Sequence, residues 1–155
     1  MIPFLMYLLL IYCSLMIQSV FFHGARPDIV MVLICIYTLN YGLGKGVALG
    51  AIAGLLIDTA NGAMLGPNIL SKAMLAFLTG AIKDNLYQWN AFINALVVAV
   101  LSIVDIFLIF VSLEVFSKAS FFNRSWESSI MQVIYTLIAS IILYPLLTKS
   151  RKIRI

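Results

Sequence analysis

Three ionisable residues, Asp58, Lys72 and Asp105, stand inside otherwise apolar stretches of this sequence. A charged side chain at bilayer depth costs roughly 2.5–3.5 kcal/mol on insertion scales, so it is kept where it faces protein or water and finds a partner. The chemistry open to these three is that of a buried ion pair or of a polar pocket for a ligand or partner, and together they form a candidate intramembrane polar cluster. Asp58 and Lys72 flank the turn at 61–68 on segments running in opposite directions, which puts them at similar depth and predicts that they pair as a clip fixing the turn. Nothing suggests hydrolysis or phosphate transfer. GxSxG and HExxH are missing, and Gly42-Leu43-Gly44-Lys45-Gly46 lacks the GxxxxGK[ST] spacing of a phosphate loop. The single histidine, His23, and the two isolated cysteines, Cys13 and Cys35, make no metal-ligand cluster. The cysteines read as small apolar residues. No catalytic residue, metal or cofactor is expected.

A second pattern is a ladder of glycines. Gly42, Gly46, Gly50 and Gly54 recur every four residues, and Asp58, Gly62 and Gly66 continue the spacing. Steps of four stay near one face of a helix, and glycine there lets a neighbouring backbone approach closely. Gly46, Gly50, Gly54, Gly62 and Gly66 are therefore candidates for packing inside the bundle or against a partner's helix, with the flanking glycines also readable as loop residues. Asp28, after Arg26 and Pro27, suits the first turn of a helix, where a carboxylate complements the helix dipole. Gln18, Asn94 and Gln132 could hydrogen-bond between helices, at about 0.6 kcal/mol each.

The elements that must hold these residues are membrane helices. Of 155 residues, 63% are hydrophobic and 10% charged, against about a quarter charged in soluble domains. Six apolar segments, at about 2–22, 29–41, 46–60, 69–82, 91–116 and 129–148, are separated by Gly, Pro, Asn and basic breakers. The first, fifth and sixth reach the roughly 20 residues that span a bilayer. The second, third and fourth are shorter and read as short spans. The predicted fold is an all-α integral membrane protein, one transmembrane domain over 1–155, with no connection long enough for a soluble domain. The first segment lacks the basic start and cleavage site of a signal peptide and reads as a retained helix. Trp89 and Trp126 near segment ends fit interfacial anchors.

The net charge is +4, and Lys149, Arg151, Lys152 and Arg154 crowd the last seven residues. Such a cluster beside an apolar segment marks the cytoplasmic side and can touch anionic lipid; it is not a nucleic-acid surface. Together with Lys45 and Lys83 on one side, against Arg26, Lys118 and Arg124 on the other, it predicts both termini in the cytoplasm.

Pro27-Asp28, the apolar run after it, the Gly46-Gly50-Gly54 ladder, Leu56-Ile57-Asp58, Gly62, Leu65-Gly66 and Asn68 resemble the rod shape-determining protein MreD family over about residues 26–83. The resemblance implies a six-helix bundle related to the S components of energy-coupling-factor vitamin transporters. It also implies a non-enzymatic component of the bacterial inner membrane, in the cell-elongation machinery that builds the lateral peptidoglycan wall. The implied partners are MreC directly, and MreB and the wall-synthesis enzymes through the complex; oligomerisation is left open. Asp28, Gly54, Asp58, Gly66 and Asn68 lie on the motif and would bear on the fold first. The rival reading is an S-component-like subunit that binds a small molecule such as a vitamin for transport, with Asp58, Lys72 and Asp105 lining its pocket. The first segment weighs against it. Such subunits dock through small residues on the first helix, and 2–22 has no alanine or glycine.

Overall fold

The computed structural model describes residues 2–21, 28–62, 65–85, 91–117 and 126–148. These form six helices: α1 (Ile2–Phe21), α2 (Ile29–Tyr41), α3 (Leu43–Asn61), α4 (Pro67–Asn85), α5 (Ala91–Ser117) and α6 (Trp126–Thr148). His23, Arg26, Trp89, Lys118, Arg124 and the basic C-terminal cluster lie outside the described residues, as does the Trp126 side chain.

The third and fourth helices are longer than their apolar runs. α3 begins at Leu43 rather than 46, and α4 covers Pro67–Asn85 rather than 69–82. Apart from Leu43, the extra residues are Gly, Lys, Pro, Asn and Asp, which hydropathy reads as breakers although helix ends accept them readily. At 1.5 Å per residue, each 19-residue helix is about 28 Å long, close to the hydrocarbon thickness of a bilayer. By length and composition α1, α3 and α5 can each cross a membrane, while α2 and the 130–145 part of α6 are shorter apolar helices.

α2 is the centre of the bundle. Val30 through Thr38 are all buried, the mark of a helix surrounded by protein on every side. One of its faces packs Leu33, Ile34 and Tyr37 against Tyr7 and Ile11 of α1 and Leu49 and Ala53 of α3. Another packs Met31, Val32, Cys35 and Ile36 against Leu75 of α4 and Val97, Val98 and Leu101 of α5. Rings of Phe4 and Tyr7 meet Tyr37 at centroid separations of 6.1 and 5.0 Å and hold α1 to α2. Lys83, in the last turn of α4, donates to the Leu39 carbonyl at 2.7 Å, so a cation sits at the negative end of α2.

The outer surface is the reverse of a soluble protein's. Phe92, Leu96, Val100, Ile103 and Phe107 form an exposed apolar stripe on α5, and Ile130, Ile134, Ile138 and Ile141 form another on α6. The opposite side of α5 carries buried Asn94, Ser102 and Asp105. Apolar area on this scale is stable against lipid, not water.

Candidate functional site

The α3–α4 hairpin positions the polar interior, and its closeness is set by glycine. A Cβ on Gly50 would lie 2.6 Å from the Lys72 carbonyl oxygen, and one on Gly54 would lie 2.5 Å from Cα of Ile69 and against the Asn68 carbonyl. Both obstacles are α4 backbone, so neither can swing aside. Gly46 faces the Thr38 side chain of α2 instead. Gly62 and Gly66 meet nothing within 4 Å, but their φ values of +63° and +135° fall where side chains are disfavoured. Gly62 closes α3, donating to the Asp58 carbonyl at 3.2 Å, as a left-handed C-terminal cap does. From Gly46 onward the glycines of the ladder are thus three helix contacts followed by two turn residues.

The predicted pairing of Asp58 with Lys72 does not occur. Buried Asp58 caps the start of α4. Its Oδ2 accepts from the amides of Gly66 at 2.8 Å and Ile69 at 3.3 Å, and its Oδ1 accepts from the Asn68 amide at 3.2 Å and the Asn68 Nδ2 at 2.7 Å. Helix N-termini offer unpaired N–H groups and a positive dipole end. Four donors satisfy the carboxylate where it stands and leave it no need of a cation. Asp58→Ala is expected to destabilise the protein by about 2–3 kcal/mol, because buried donors lose their acceptor; Asp58→Asn should lose less. Thermal unfolding in detergent measures both. Exchanging the charges, Asp58→Lys with Lys72→Asp, should not restore stability.

Lys72 instead lies between two other carboxylates. Its ammonium donates to Asp28 Oδ2, and to Asp105 Oδ2 at 2.8 Å. The Lys72 side chain is 2% exposed, with Asp105 at 3% and Asp28 at 13%. Ser71, the neighbour of Lys72, donates to Asp105 Oδ1. Asp28 is the N-cap of α2: its Oδ1 accepts from the Met31 amide at 3.0 Å, and its own amide donates to Thr136 Oγ1 at 2.9 Å. One cluster therefore ties α2, α4, α5 and α6 together. The sequence points to Asp28 as a dipole partner but not as an ion partner, since its separation of 44 residues from Lys72 carries no local signal. Ser71 and Thr136 give no signal at all.

The amides distribute themselves differently from a simple interhelical set. Asn94 donates to Ser140 at 3.0 Å and joins α5 to α6. Gln18 bonds within α1 to Ser14 at 3.4 Å, and Gln132 contributes its backbone carbonyl to Thr136. Cys35 is buried beside the Thr79 hydroxyl at 3.5 Å, Cys13 is exposed, and both are free thiols. Among the described residues no three His, Cys, Asp or Glu side chains converge as a metal site would require.

An apolar exterior wrapped around a charged, internally bonded interior defines an all-α membrane protein. A family model described as rod shape-determining protein MreD matches residues 1–152. The chain belongs to this family and is a rod shape-determining membrane protein. No curated protein and no solved structure gives a significant match.

Proposed function

We propose that this chain is a non-enzymatic scaffold of the bacterial cell-elongation machinery, seated in the inner membrane with both termini in the cytoplasm. In this reading it binds MreC directly and is linked through it to MreB and the enzymes of lateral wall synthesis. The observation that carries the reading is the engagement of the deep polar groups with one another. Asp28, Lys72 and Asp105 bind each other, and Asp58 binds the backbone of α4. Groups used this way set the relative positions of helices, which is what a scaffold requires. A small-molecule binder would need some of them turned towards a ligand.

The test is affinity purification of the tagged chain from its own membranes in mild detergent, with mass spectrometry of what accompanies it. MreC and wall-elongation proteins are the expected co-purifying species. Recovery of a coupling subunit with paired ATPases would replace the scaffold by a transport subunit.

A further inference from the structure

The triad contains two carboxylates and one ammonium. With all three ionised it carries one negative charge that no other cation among the described residues balances, inside a bundle whose described exterior is apolar. A net charge at that depth is costly, and two carboxylates sharing one site resist ionising together. The other lysines of the described residues lie elsewhere: Lys45 is exposed in the first turn of α3, and Lys83 reaches the Leu39 carbonyl. Among the described residues, the groups facing Asp105 are Asp28 from α2 and Ser71 and Lys72 from α4, with the Thr136 hydroxyl of α6 on the Asp28 amide. Cys35, the nearby thiol of α2, is turned to Thr79. Asp58 of α3 is held by the amides of α4.

We propose that this cluster binds one proton, held on Asp105 Oδ1 against the Ser71 hydroxyl, while Asp28 carries the charge that balances Lys72. The two carboxylates are not equivalent. Asp28 caps α2, accepts the Met31 amide and lies at the positive end of a helix dipole, all of which favour the anion. Asp105 lies in the middle of α5, is almost fully buried, and meets one hydroxyl and the shared ammonium. Loaded, the Asp105 O–H donates to Ser71 Oγ and Lys72 still donates to Oδ2. Emptied, the proton has left to water, Ser71 donates to the carboxylate, and the cluster stands at one net negative charge. The contact of α5 with α2 and α4 is then a proton-loaded latch, neutral when filled and charged when empty.

Infrared spectroscopy of the whole protein tests this, in vesicles of phosphatidylethanolamine and phosphatidylglycerol at neutral pH, with aspartate carboxyls 13C-labelled. The expected result is a carbonyl band of a protonated aspartic acid that moves in D2O and moves again in Ser71→Ala. The same band should vanish in Asp28→Asn and in Asp105→Asn, because each leaves one carboxylate for one ammonium. A wild-type protein without the band, a band that survives both Asn substitutions, or a band unmoved by Ser71→Ala overturns the proposal. The labelled wild type and Ser71→Ala keep every charge and decide the matter even if an Asn variant fails to fold.

Discussion

Lys72→Met is expected to destabilise the bundle by about 3–5 kcal/mol, the cost of removing one partner from a buried ionic group. The loss arises less from the missing attraction than from what remains. Asp28 and Asp105 would stay in the interior without the ammonium to which both bond. Since the cluster joins α2, α4 and α5 directly, and α6 through Thr136, the damage should spread over most of the bundle. Denaturation midpoints in detergent measure it. The triple variant Lys72→Met, Asp28→Asn, Asp105→Asn should recover most of the loss, because replacing a whole buried ionic group by neutral residues is often tolerated. A single Lys72→Met variant as stable as wild type would show that the triad does not hold the helices.

The second large effect belongs to Gly54. Gly54→Ala sets a methyl against the Asn68 carbonyl and the Ile69 Cα, and only a shift of α4 relieves the clash. Overpacking of this kind costs roughly 1–3 kcal/mol, occasionally more. The upper end is expected because the displaced residues are those whose amides bind Asp58. Gly50→Ala should behave similarly, pressing on the Lys72 carbonyl. Gly46→Ala meets the Thr38 side chain, whose Cβ at 2.8 Å is not moved by any change of rotamer, and Gly44→Ala meets nothing within 4 Å. The expected pattern, measured as unfolding midpoint, is therefore a loss at Gly54, Gly50 and Gly46, with Gly44 neutral. A Gly54→Ala variant that matches Gly44→Ala would contradict the close α3–α4 contact.

What could be read in the sequence was whatever local spacing carries. Runs such as 29–41 and 91–116 announce helices because composition alone separates apolar segments from breakers. The fourfold glycine repeat announces a close contact because its period matches one helix face. The ends of α3 and α4 were less legible: Lys45, Asn68 and Asp84 are compatible with a helix terminus but carry no apolar signal. The ionic partners were not legible. Asp58 and Lys72 look paired by depth, yet depth leaves rotation about each helix axis undetermined, and rotation turns Lys72 towards α2 and α5. Asp58 further illustrates that a carboxylate can be satisfied by backbone amides, a class of partner that side-chain patterns do not display.

The position of α2 has a consequence for how this protein responds to its bilayer. At 13 residues and 1.5 Å per residue it is about 20 Å long, some 10 Å less than a typical hydrocarbon core. A lipid-facing helix so short would force thinning or tilt. The deficit falls on the helix that its neighbours screen from lipid, so hydrophobic mismatch acts only on the surrounding helices. A thicker membrane would re-tilt that outer ring around a centre that feels no thickness at all.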